Sequence, residues 1–312
     1  MKDKIKIVGN ILVLISLGFI LKTVVNMEIN WWKLINNHFI KIFIGSVCFQ
    51  SIIVFFSCVP WFLLVSSLVG KIKSVKHVWY IFLKSNIYKY LPGNFLHYVG
   101  RNQLAVEYSV SHIDLALATG MDVIIGLGTG ICFASLFFFE RVLKILDESI
   151  ISLATIVICI FVLCGFFCVK KIKYTKELYE KYMMKIKRLK TIKAIIGGVG
   201  YYFMQNTLTV LMVVFVCGIC IPTSSIKEKF SIGTSYIFAS VIGTIMPGAP
   251  AGVGIREAIM ININSGYAAD DMLVLSVIMR LISIMGDFFA YMCCAVVQCI
   301  KRGEGNDKKV IS

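Results

Sequence analysis

The stretch MPGAPAGVGIRE (residues 246–257) sets two prolines and three glycines against an uncharged run, Phe230 to Ile255. That run is otherwise long enough to cross a bilayer, which takes about 20 apolar residues. Proline removes a backbone donor and glycine admits dihedrals that other residues avoid. A helix entering at Phe230 therefore stops near Pro247, Gly248 and Pro250. In lipid the freed N–H and C=O groups need partners, so such a break survives only where protein encloses it or a polar cavity receives it. A second half-helix beginning around Gly252 and Gly254 then carries Arg256 and Glu257 in its first turn. Free N-terminal N–H groups and a planar guanidinium together suit a phosphate or a carboxylate. Glu257 is either the partner of Arg256, a cation site or a proton carrier.

The rest of the chain supports a lipid setting. Of 312 residues, 58% are hydrophobic, and mean hydropathy is +0.83. Soluble domains hold about 45–50% apolar residues even with glycine included. Ile42–Gly70 and Ala194–Ile226 are also free of charge. The N-terminus, MKDKIKIVGNILVLISLGFILKTVVNM, lacks a small-x-small cleavage site and reads as a retained first span. No polar stretch is long enough for a separate soluble domain.

The net charge of +15 is concentrated in segments between apolar runs. Lys170–Lys193 alone holds ten basic and two acidic residues, and Lys71–Lys89 holds five lysines and no acid. Basic loops of this kind stay cytoplasmic and set topology. No free basic face with interleaved aromatics is present, so nucleic acid is not an expected partner. Most of the 11 cysteines fall inside apolar runs, where Cys acts as a small apolar residue. Neither they nor His38, His77, His97 and His112 show metal-ligand spacing.

Loop charge gives spans near 7–25, 42–70, 113–139, 149–169, 194–221 and 270–300, with both termini cytoplasmic. Stretches 72–112 and 230–269 remain, and each must return to its own side. Both carry the same interruption. KYLPGNFLHYVGR (89–101) and TIMPGAPAGVGIR (244–256) each place Pro-Gly nine residues before Arg, at Pro92, Gly93 and Arg101 in the first. The first lies between cytoplasmic flanks and the second between outside flanks, the pattern of an inverted-topology repeat with discontinuous helices.

PAGVGIRE (250–257) resembles the Pro-Gly-Gly-x-Gly-x-Arg-Glu signature of the lysylphosphatidylglycerol synthase transmembrane, or flippase-like, family. The YLPGN segment followed by Arg101 looks like that family's earlier Tyr-x-Pro-Gly segment, and the span order also fits. The resemblance implies an integral membrane domain that moves lipids or lipid-linked glycans between leaflets. Two departures stand out. Bifunctional relatives carry a soluble aminoacyl transferase after the membrane part, whereas this chain ends soon after Ile300, so lysyl transfer is not expected. Many relatives place Glu-Arg three residues before an Asp; here ATGMD keeps Asp122 but has Ala118 and Thr119.

Asp114, Asp122, Arg280 and Asp287 interrupt apolar helices, where charge is costly and faces the interior. Two structural pairs are expected from them: Asp122 with Arg101, and Arg280 with Asp287. Asp287 reads as structural and Asp122 as structural or coupling. Arg101, Arg256 and Arg280 read as substrate-binding, three cations matched to a diphosphate, together with Gly252, Gly254 and Glu257. His97 and Glu107 read as near the cytoplasmic interface. NWWK (30–33) and VWYIF (78–82) read as headgroup-level anchors. KELYEKYMMKIKRLK (176–190) reads as an amphipathic surface helix or a solvated helical loop.

The expected architecture is an all-α polytopic membrane protein with about six full transmembrane helices and two opposed re-entrant helical hairpins. It forms one domain over 1–312, with pseudo-repeat halves 42–169 and 194–300, a cytoplasmic loop 170–193 and a cytoplasmic tail 301–312. The expected function is translocation of a phospholipid or lipid-linked glycan across the cell membrane, or assistance to it, in envelope polysaccharide synthesis. Alternatives are a proton- or sodium-coupled transporter of a small anion, with Glu257 or Asp122 as coupling site, and a membrane enzyme of lipid-linked sugar transfer. No Asp-x-Asp pair or His cluster supports the enzyme. No catalytic residue, metal or cofactor is expected; the partners are the bilayer and an anionic lipid or lipid-linked glycan.

Overall fold

The computed structural model describes residues 37–69, 75–90, 96–106, 110–145, 184–186, 188–245 and 254–310. All regular structure among them is helical. The helices are α1 (Asn37–Phe56), α2 (Cys58–Val69), α3 (Val75–Asn86), α4 (Leu96–Val106), α5 (His112–Ile145), α6 (Leu189–Cys220), α7 (Ile226–Ile245), α8 (Ile255–Ile263) and α9 (Ala269–Val310). A 3-10 turn, Ile87–Tyr90, extends α3.

Four stretches are long and apolar enough to cross a membrane: Asn37–Val69, His112–Ser135, Lys190–Cys220 and Ala269–Val297. They coincide with the expected spans at 42–70, 113–139, 194–221 and 270–300. The first starts earlier than expected, because the helix runs through Lys41, whose long stem can carry its ammonium to the polar boundary. The spans expected at 7–25 and 149–169 lie outside the described residues. So do Trp31, Trp32, Glu107 and most of 176–190.

Local chemistry explains the breaks. Pro60 offers no N–H to the carbonyl one turn back, and the α1–α2 span is interrupted at Ser57. The Ser57 N–H bonds both Ile53 O and Val54 O there. Hydroxyls elsewhere bond back into their own helices, as Ser51 does to Val47 O at 2.7 Å and Thr129 to Ile125 O at 2.7 Å. This hides polar atoms from lipid. Between α6 and α7, Ser225 and Glu228 form a reciprocal capping box: Glu228 Oε2 accepts from Ser225 N at 2.6 Å, and Ser225 Oγ accepts from Glu228 N at 3.3 Å.

Two clusters make the core. Phe39 and Val47 of α1 meet Val216 and Cys217 of α6, Tyr236 of α7 and Met272 of α9 in one. Leu68 of α2, Val78 of α3, Leu115 of α5, Ala194 of α6 and Ala290 of α9 meet in the other. The first gathers the start of α1, the end of α6 and the start of α9; the second gathers the end of α2 and the starts of α3, α5 and α6. The first and last of the four long stretches therefore run from the first cluster to the second, and α6 runs the other way. At the end of the second cluster Lys185 pairs with Asp114 at 2.7 Å. Asp114 sits in the first turn of α5, at the start of the candidate span His112–Ser135.

Helices α7 and α8 pack antiparallel. Thr244 faces Arg256, and Ser235 faces both Met260 and Asn264. Gly233 lets α7 approach the α6 backbone, since a Cβ there would lie 3.2 Å from Val210 O.

Candidate functional site

Polar residues recur on several of the helices at helical spacing, and these faces converge. Tyr202, Gln205, Asn206 and Thr209 stand at i, i+3, i+4 and i+7 on α6. Tyr236, Ser240 and Thr244 step by four along α7. Arg280, Ser283 and Asp287 stand at i, i+3 and i+7 on α9. Together with Arg101, Asp122 and Arg256 they line a cavity of about 350 Å³. Lipid faces the outside of the bundle, so polar stripes turn inward, the reverse of a soluble protein.

Asp122 holds the first charge cluster. Arg101 Nη1 lies 3.1 Å from Asp122 Oδ2, and the Tyr202 hydroxyl donates to Oδ1 at 2.7 Å. The guanidinium stacks over Phe82 at 4.0 Å and lies 5.1 Å from the Trp61 ring. Thr119, where many members of the resembled family carry charge, accepts from Trp61 Nε1 at 3.0 Å. Arg101 is thus a caged, paired cation only 3% exposed. Phe82, expected among the headgroup anchors, is the face on which Arg101 rests.

Asp287 holds the second. It accepts from Asn86 Nδ2 at 2.9 Å and from the Tyr90 hydroxyl, and Lys89 Nζ lies 2.5 Å away. All three partners come from α3 and the 3-10 turn that ends before Pro92. This carboxylate therefore fastens that turn to α9. The expected Arg280–Asp287 pair does not form, because Asp287 is saturated by that turn.

Glu257 holds the third. Its Oε1 lies 3.1 Å from Arg280 Nη1, and its Oε2 accepts from Gly254 N at 2.8 Å. Gly254 has φ +82°, a conformation open to glycine and strained for a side chain. Glu257 therefore caps its own half-helix and ties it to α9. Of the three roles open to Glu257, pairing is the one seen, with Arg280 rather than with Arg256.

Arg256 is left over. Four cationic side chains, Lys89, Arg101, Arg256 and Arg280, meet three carboxylates, and each carboxylate already has another partner. Among the described residues Arg256 makes one hydrogen bond, Nη2 to Thr244 Oγ1 at 3.5 Å, and its buried Nε has no hydrogen-bond partner. The space for it comes from Gly243, where a Cβ would lie 2.7 Å from Arg256 Cγ.

Arg101, Arg256, Arg280, Asp122 and Asp287 are thus brought together, with Glu257 behind Arg280. Gly254 is an exposed cap outside the cavity wall. Gly252, Pro92, Gly93, Pro247, Gly248 and Pro250 lie outside the described residues. His97, expected near an interface, is buried and lines the cavity. Sequence reasoning missed Tyr202, Gln205, Asn206, Tyr236 and Ser240. Their helical spacing inside uncharged runs is the signal that marks them. No three His, Cys, Asp or Glu side chains among the described residues form a metal-binding group. Compared with protein-family models, curated proteins and solved structures, the chain finds no match.

Proposed function

We propose that this chain is a flippase-like protein of the cell membrane that translocates, or assists translocation of, an anionic phospholipid or a lipid-linked glycan during envelope synthesis. The observation that carries this reading is Arg256, a cation on a polar cavity with no carboxylate of its own among the described residues. An unpaired Arg at a helix centre costs about 2.5–3.5 kcal/mol on insertion scales. An anionic headgroup would remove that cost, and a planar guanidinium holds phosphate in two-point contact. The resemblance of residues 250–257 to the flippase-like signature points the same way.

In this reading α3–α4 and α7–α8 are re-entrant hairpins entering from opposite faces. The chain has six full spans arranged as an inverted repeat, with both termini cytoplasmic. The cavity lies between the two hairpins. The polar headgroup crosses through the cavity while its tails stay in lipid. No residue is assigned a catalytic role.

The test is transport. Full-length protein is reconstituted in vesicles containing a fluorescent anionic phospholipid, and inner-leaflet lipid is scored by its protection from dithionite. Wild type is expected to accelerate exchange, Arg256→Gln to abolish the acceleration, and Arg256→Lys to impair it. A well-folded Arg256→Gln protein with full activity would overturn the reading. A second reading, transport of a free small anion, draws on the modest cavity volume. Uptake of radiolabelled phosphate without lipid exchange would favour it.

A further inference from the structure

Among the buried side-chain atoms on the cavity wall that make no hydrogen bond are three uncharged ones on α6 and α7: Gln205 Oε1, Asn206 Nδ2 and Ser240 Oγ. The neighbours on those stripes are already engaged. The Thr209 hydroxyl donates to Gln205 O at 2.9 Å, the Thr244 hydroxyl to Ser240 O at 2.8 Å, and the Tyr202 hydroxyl to Asp122. What remains is an acceptor, a donor and a hydroxyl, all uncharged, on two helices that pack against each other. Buried polar atoms without partners are uncommon in folded proteins and call for an explanation.

The phosphodiester of a plain phospholipid supplies only acceptors. It can answer Arg256 and Asn206 but leaves the Gln205 carbonyl without a donor. An ammonium headgroup would need a free carboxylate, and Asp122, Asp287 and Glu257 are each paired. Hydroxyls both donate and accept, so a neutral polyhydroxyl group answers all three atoms. Tyr98 and Tyr236 also line the wall.

We propose that Gln205, Asn206 and Ser240 form a glycosyl subsite beside Arg256, so that the cavity takes a phosphate bearing a neutral sugar. The phosphate lies on Arg256 and the sugar hydroxyls lie on the α6 and α7 stripes. This rests on the reading of Arg256 as the anion site and selects the glycan among the cargoes which that reading leaves open. A glycosyl phosphate can arrive attached to a lipid or free in solution, and the two share this chemistry.

Four probes separate the terms: inorganic phosphate, glucose 1-phosphate, farnesyl phosphate and farnesyl phosphoryl glucose. Each is titrated into detergent-purified full-length protein, with binding read from intrinsic tryptophan fluorescence. Wild type is expected to favour each glucose-bearing probe over its sugar-free counterpart by about tenfold, or ~1.4 kcal/mol. The preference is expected to fall to near unity in Asn206→Leu and Gln205→Leu, and to shrink in Ser240→Ala, which removes one oxygen and threatens folding least. Arg256→Gln is expected to lose all four. Preference seen only with the farnesyl pair supports the subsite and marks a lipid-borne source; preference seen only with the soluble pair supports it and marks a free one. Equal binding of sugar-bearing and sugar-free probes by wild type, with Arg256 still required, overturns the subsite alone. Absence of any Arg256-dependent binding overturns the anion site and the subsite with it.

Discussion

Arg280 Nη1 of α9 lies 3.1 Å from Glu257 Oε1 of α8, across a gap of more than twenty residues in sequence. This contact decides the electrostatics of the cavity. Glu257 follows Arg256 directly, yet consecutive residues on a helix point about 100° apart and do not face each other. The carboxylate turns to α9, and the neighbouring guanidinium is left to the cavity.

Glu257→Gln is therefore expected to destabilise the protein by about 3–5 kcal/mol, the usual result of stranding one member of a buried pair. Arg280→Gln is expected to act similarly. The double variant Glu257→Gln/Arg280→Gln should cost clearly less than the sum. A double-mutant cycle on denaturant unfolding in detergent measures the coupling; additive effects would mean that the two groups do not pair.

Arg256→Gln should behave in the opposite way. It removes a cation that has no ion-pair partner among the described residues, so thermal stability is expected to stay level or rise. A melting-temperature drop as large as that of Glu257→Gln would show that Arg256 has a structural partner.

The Arg101–Asp122 pair is a test of packing. Asp122→Asn leaves the Arg101 cation against Phe82 and Trp61 without a counter-ion, and about 3 kcal/mol of stability should be lost. Arg101→Lys keeps the charge but loses the stacked plane, and about 1–2 kcal/mol should go. Equal stability of Arg101→Lys and wild type would remove the aromatic cage from the account.

Two glycines on α7 should respond differently to alanine. A Cβ at Gly233 would lie 2.9 Å from Val210 Cγ1 and 3.2 Å from Val210 O, so α6 and α7 must part. Gly233→Ala is expected to cost about 1–3 kcal/mol. The three atoms nearest to a Cβ at Gly243 all belong to the Arg256 side chain. Gly243→Ala is expected to spare stability and to lower anion affinity by displacing the guanidinium. Calorimetry and the binding titration together separate these outcomes; a stability loss without an affinity loss at Gly243 would contradict the assignment.

Sidedness can be read by labelling. On a background with the 11 native cysteines replaced, Ser224→Cys in the α6–α7 turn is expected to react with an impermeant maleimide from outside. Glu180→Cys is expected to react only after the membrane is opened. Reaction of residue 180 from outside on intact cells would reverse the proposed topology.

The sequence by itself determined the solvent of this protein and the helices that meet it. Long uncharged runs give four helices long and apolar enough to cross a membrane, and that depends on composition within one segment. The start of α8, capped at Gly254, was legible for the same reason, since glycine and proline act on their own backbone. The polar stripes on α6 and α7 were also legible in principle, because their spacing is a property of one helix. The pairing of charges was not. Whether Arg280 meets Asp287 seven residues away or Glu257 on another helix depends on which helices are neighbours and at what depth, and no periodicity along one chain encodes that. Tertiary structure gave Asp287 to Asn86, Tyr90 and Lys89, Asp122 to Arg101 and Tyr202, and Glu257 to Arg280. Each carboxylate in the low-dielectric interior takes the donors packed against it, and Arg256, which has none of them among the described residues, is left facing the cavity.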